Sequence, residues 1–152
     1  MKKQKQKKVI VGFIGSNQSG RTTAAKMLKK KSFYMASIND KVSEFAAHLF
    51  SKDELERGGN TILNQVRQRG CSVNKEYWLN LVLISVPDDV QYIVFNDISM
   101  DEANNDKVMA YQILREGYSK EKLNEIETIE NNGSLKDLSA KIESIYKDIT
   151  SS

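Results

Sequence analysis

Four residue types are nearly missing from this 152-residue chain, which has one proline, one cysteine, one tryptophan and one histidine. The lone Cys71 excludes an internal disulfide. A single cysteine and a single histidine, Cys71 and His48, cannot make a zinc-type ligand set, and His48 has no nucleophile at useful spacing. Both are read as packing residues. No apolar run approaches the roughly 20 residues that a membrane span requires. The opening residues lack the long apolar stretch and small-residue cleavage site of a signal peptide, so a cytoplasmic protein is expected.

Charge is plentiful but unevenly placed. Charged residues make up 28% and hydrophobic residues 39% of the chain, an ordinary balance for a globular protein. Five lysines fall within residues 1–8 and outweigh the whole formal net charge of +3, leaving −2 for the remainder. The body is therefore no basic nucleic-acid surface, and the first eight residues read as a solvated arm. Residues 9–152 are expected to form one domain, long enough to bury about two thirds of its unfolded surface.

Hydrophobic spacing then divides the chain. Residues 9–14, V-I-V-G-F-I, are β-branched and apolar, the form of a strand buried on both faces of a parallel sheet. A glycine-bearing loop and a helix-favouring stretch around residues 24–30 follow. Residues 33–38 read as a second strand, and Asp40 can cap a helix whose apolar positions are Val42, Phe45, Ala46, Leu49 and Phe50. Gly58 and Gly59 break the pattern, after which residues 60–69 and 75–86 read as helices separated by a turn around Gly70. Strands are predicted at 91–95, after Pro87, at 108–114 and at 126–129. In the last segment Leu135, Leu138, Ile142, Ile145 and Ile149 recur every three or four residues behind Ser134, a natural N-cap, with Asp137 in the first turn. Strands alternating with helices predict an α/β fold: a mostly parallel five-stranded sheet with helices on both faces, and ligands at the carboxyl ends of the strands.

The chemistry-bearing motif stands between the first strand and first helix. Residues 15–22, G-S-N-Q-S-G-R-T, fit the phosphate-loop pattern G-x-x-x-x-G-K-[ST] at every fixed position but the lysine, which is Arg21. Such a loop turns successive backbone N–H groups inward and places a helix N-terminus beneath an anion. The candidate phosphate-binding residues are Gly15, Ser16, Asn17, Gln18, Ser19, Gly20, Arg21, Thr22 and Thr23; the plainer reading is an ordinary glycine turn. Arg21 keeps the charge of a lysine, but a planar guanidinium is less suited to following a moving phosphoryl group. Thr22 and the strand-ending Asp97 would serve a magnesium ion, although an aspartate there also suits a helix cap. Arg67, Arg69 and Arg115 could grip phosphates or be surface charges, and Trp78 and Tyr77 fit the core as readily as a base-stacking role.

Several stretches resemble, in order, the phage-type deoxynucleoside monophosphate kinases, relatives of the adenylate and dephospho-coenzyme A kinases. Beyond the phosphate loop they are S-I-N-D over 37–40 leading into a helix; residues 63–70 followed by Tyr77 and Trp78; residues 92–97 followed by Asp101, Glu102 and Ala103; residues 113–117; and E-N-N-G-S-L-K-D-L over 130–138. The likeness spans residues 9–149. It implies a three-layer P-loop nucleotide kinase fold, with ATP and Mg²⁺ as cofactors and a nucleoside monophosphate as acceptor. In that scheme Arg21 and Arg115 stabilise charge, and Asp40, Arg67, Arg69 and Trp78 hold the acceptor. Asn131, Asn132 and Gly133 would lie at the adenine side, and Thr22 and Asp97 would hold the metal. A homodimer or another protein partner is also implied.

The chain departs from the family where the chemistry lies: Arg21 replaces the loop lysine, Ser99 stands where the family has an arginine, and the lid is short. Two readings follow, an active (deoxy)nucleoside monophosphate kinase or a catalytically degenerate descendant that binds a nucleotide or a protein. A dephospho-coenzyme A kinase-like enzyme is a third.

Overall fold

The computed structural model describes residues 8–16, 19–117 and 125–151. Residues 1–7 of the expected arm lie outside the described residues. The chain resolves into two compact units, one made of residues 1–36 and 88–152 and the other of residues 37–87.

The first unit carries the sheet. Its strands are β1 (Val9–Ile14), β2 (Tyr34–Ala36), β3 (Tyr92–Phe95), β4 (Val108–Leu114) and β5 (Glu127–Glu130), all parallel, in the order β2-β3-β1-β4-β5. The run V-I-V-G-F-I takes the middle place because it presents apolar side chains to both faces, and four of its six residues are buried. Parallel neighbours flank it on both sides, with Val11 opposite Val94 and Met109.

Alternation along the strands sends Val11, Phe13, Val94, Tyr111, Ile113 and Ile129 into one core with α1 (Arg21–Lys29) and α6 (Leu135–Thr150). From these helices come Ala24, Ala25, Leu28, Leu138, Ile142, Ile145 and Ile149, the small and branched residues at helical spacing. The opposite face is covered by α5 (Met100–Ala103), which touches β1 and β4, and by Ile98, whose side chain fills the space beside Gly12. Helix, sheet and helix thus form the three-layer α/β arrangement that the alternating pattern predicts. Ser134 caps α6 and shares a capping box with Asp137.

The second unit is helical: α2 (Ile38–Leu49), α3 (Lys52–Val73) and α4 (Tyr77–Ser85). Here two expectations are corrected. Residue 37 is no longer strand, because Ser37 rather than Asp40 caps α2, its hydroxyl accepting the Asp40 N–H at 3.2 Å. The turn expected around Gly70 is absent, since α3 runs through Gly70 to Val73. Gly70 serves close approach instead: it is buried, and a side chain there would strike the indole of Trp78 and the ring of Tyr77. The break expected at Gly58 and Gly59 does occur, as a kink in α3 where Gly59 takes φ +48°. Among the described residues no helix is long and apolar enough to cross a membrane.

Candidate functional site

Sheet order fixes where a ligand would sit. From β1 the chain moves two places to β2, returns to β3, then crosses to β4 on the far side of β1. Connections on either side of β1 therefore run in opposite directions, which opens a crevice at its carboxyl end. The loops leaving β1, β4 and β5 line a cavity of about 590 Å³ bounded by Gly20, Arg21, Thr22, Thr23, Arg115, Asn131, Gly133, Leu135 and Leu138. That volume lies within the range of small-molecule sites.

The wall from β1 is the phosphate-loop motif. Its Asn17 and Gln18 lie outside the described residues. Ser19 folds back so that its N–H donates to Ser16 O at 3.2 Å. The Ser19 hydroxyl is buried with no hydrogen-bond partner among the described residues. Gly20 follows in the left-handed region at φ +113°, where a β-carbon would be strained and would also meet the Asn131 amide. That turn starts α1, whose Ala24 N–H bonds to Gly20 O at 2.9 Å. No side chain caps the start of α1 and no acid occupies its first turn. The same holds for α4, whereas α2, α3, α5 and α6 have side-chain caps and first-turn acids. The positive end of α1 is thus not offset by a side chain of its own first turn.

Asn131 and Asn132 lock the other walls to this one. The Asn131 side-chain amide donates to Ser19 O at 2.8 Å, while its backbone N–H donates to Leu114 O at 2.7 Å. Asn132 Oδ1 accepts the Glu116 N–H at 2.6 Å, tying the exit of β4 to that of β5. Both asparagines were expected on the nucleotide side; Asn131 lines the cavity, and the hydrogen bonds of the two hold three loops in register. Gly133 lines the cavity directly, with Leu135 and Leu138 as an apolar shelf.

Arg21 and Arg115 are the charged groups of the lining, one from each side of the crevice. The stem of Arg21 passes over Gly15, its Cγ lying 3.3 Å from the position a β-carbon there would take. No carboxylate lines the cavity among the described residues.

A magnesium ion is what the family resemblance assigns to Thr22 and Asp97, and only the first of these lines the cavity. Thr22 Oγ1 accepts a hydrogen bond from Asn96 Nδ2 at 3.1 Å, which takes up one of its two lone pairs. Asp97 is 6% exposed, has interactions of its own and is absent from the cavity lining. Asn96 is the residue that sequence reasoning passed over. The only signal for it was its place at the end of a strand, beside an acid that drew the attention.

The residues expected to hold the acceptor all lie in the second unit. Asp40 is exposed in the first turn of α2. Arg67 donates to Asn39 Oδ1 at 2.8 Å, and Arg69 is exposed. Trp78 takes its core alternative: it is buried at 2% exposure, donates to Arg67 O at 2.8 Å, and meets Phe45 and Tyr77 edge-on. Ser99 caps α5, its hydroxyl accepting the Glu102 N–H at 3.3 Å. His48 is exposed on α2, not a packing residue. Cys71 is partly buried.

This fold and crevice define an α/β protein of P-loop-like three-layer arrangement. The crystal structure of TT1252 from Thermus thermophilus is similar, with a TM-score of 0.57 over 95% of this chain and 100% of that one, at 16% sequence identity. At that identity the likeness establishes the fold alone. No protein-family model matches the chain, and no curated protein matches it.

Proposed function

We propose that this chain is a nucleotide-binding protein of the nucleoside monophosphate kinase type, holding the phosphates of ATP or a similar nucleotide in the cavity of its first unit. One observation carries the reading: the left-handed turn at Gly20 leads into a helix start that no side chain caps, at the crevice shared by Arg21, Arg115 and Gly133. Backbone N–H groups and two guanidiniums would take the phosphates. The apolar shelf of Leu135 and Leu138 suits the flat face of a base or sugar.

If the site turns over, the reaction is transfer of the ATP γ-phosphoryl to a (deoxy)nucleoside monophosphate. Catalysis of that kind is almost wholly positioning and charge stabilisation. Arg21 in the lysine position, Ser99 spent as a helix cap and Asn96 on the Thr22 hydroxyl each remove part of that stabilisation. These three residues favour the second reading, a descendant that binds nucleotide with little or no turnover and acts through another protein. A cytoplasmic location is consistent with either.

Thermal unfolding with and without ATP tests binding, since a ligand at a hundredfold its Kd adds about 2.7 kcal/mol. A coupled assay with ATP and each monophosphate, against a Thr22→Ala control, then divides kinase from binder. Absence of stabilisation by any nucleotide would overturn the proposal.

A further inference from the structure

The second unit holds a groove of its own. Phe45 and Leu49 of α2 form one side, Val66 and Val73 of α3 the other, and Tyr77 and Trp78 of α4 complete a hollow of about 360 Å³. We infer that this groove receives an amphipathic helix of another protein, one with apolar residues a turn apart and a carboxylate beside them. The inference goes beyond the nucleotide site and does not depend on it.

The spacing of the walls suits a helix. Phe45 and Leu49 are one turn apart and Val66 and Val73 two turns, so each wall is a ridge of side chains running along its helix. A further helix seats its own apolar side chains between such ridges, at i, i+3 or i+4, and i+7. The floor is fixed in advance. The Trp78 indole donates to Arg67 O at 2.8 Å and meets Phe45 and Tyr77 edge-on, beside the room that Gly70 leaves.

The extent of the apolar surface argues against a small ligand. Leu49 and Val73 are 68% and 72% exposed, so the surface continues past the hollow onto its rim. A molecule seated inside would leave that rim in water, whereas a helix laid along the groove would cover it.

Charge sets the sign of the occupant. Arg69 is the one ionised residue of the lining among the described residues. It is exposed on α3, about halfway along the wall between Val66 and Val73. A carboxylate on the flank of the incoming helix, level with the middle of its apolar stripe, would pair with the guanidinium. A lysine in that place would be repelled.

Fluorescence anisotropy of a labelled synthetic helix of about 15 residues, titrated with the whole chain, is the test. One peptide carries leucine at i, i+4 and i+7 with glutamate beside them, and a second has lysine in place of glutamate. The glutamate peptide should bind about tenfold more tightly than the lysine peptide. Arg69→Glu should invert that order, a result that loss of folding could not give. Leu49→Asp, at an exposed position, should weaken both peptides by about tenfold or more. No binding of the glutamate peptide, or equal affinity for the two peptides before and after Arg69→Glu, would overturn the inference. Self-association of the chain that Leu49→Asp abolishes, without peptide binding, would assign the groove to a second copy and overturn it too. A nucleoside monophosphate that displaces the peptide would assign it to the acceptor instead.

Discussion

The side-chain amide of Asn131 donates to the main-chain carbonyl of Ser19 at 2.8 Å, across 112 residues of sequence. Through that bond the loop leaving the last strand fixes the shape of the loop leaving the first. Asn131→Ala would leave the Ser19 carbonyl without this partner in a partly buried place. We expect a loss of about 1 to 2 kcal/mol in unfolding free energy, with weaker nucleotide-dependent stabilisation. Denaturant titration with and without ATP measures both.

Gly20 sits at φ +113° against the same amide. Gly20→Ala would pair an unfavourable backbone region with a collision, and should cost more than about 1 kcal/mol. The double variant Gly20→Ala with Asn131→Ala should cost less than the two single losses added together, because removing the amide removes the collision. Strict additivity would show that the two residues do not touch.

Arg21 reaches the cavity from the first turn of α1. Arg21→Ala should weaken nucleotide binding by about 1.5 to 3 kcal/mol, the worth of a hydrogen bond to a charged group. Arg21→Lys should retain much of the binding. If a kinase reaction exists, the lysine variant should also raise its rate, which a coupled assay would detect.

Burial pushes the Tyr111 hydroxyl above its ordinary pKa, and the carboxylates of Glu127 and Asp148 add to the rise. A group with a raised folded pKa contributes stability that is complete below its unfolded value of about 10 and is lost as pH climbs through the folded one. Stability should therefore decline above about pH 10, and Tyr111→Phe should flatten part of that decline. Unfolding curves of both proteins across the alkaline range provide the comparison.

How far the sequence could be read depended on whether one element or several decided a residue's role. β1 was legible to the residue and α6 in its cap and buried stripe, because an all-apolar six-residue run and a clean helical stripe behind a serine each fix an element by themselves. The five-stranded parallel sheet followed from counting such elements. Gly70 was misread as a turn because its role lies in the indole packed against it, which only the fold brings near. The glycine-bearing stretch between β1 and α1 was visible as spacing, but the duties of Asn131 and Asn96 were not. Each acts through a hydrogen bond to a residue more than seventy positions away, and local pattern carries no trace of such a bond.

The central claim is that the crevice beside β1 receives phosphate. Backbone amide resonances followed during titration with ATP report on it residue by residue. The account predicts that the N–H signals of Gly20, Arg21, Thr22 and Thr23 shift first and furthest, with Gly133 following. Shifts confined to residues 37–87, or no shift at saturating nucleotide, would contradict it.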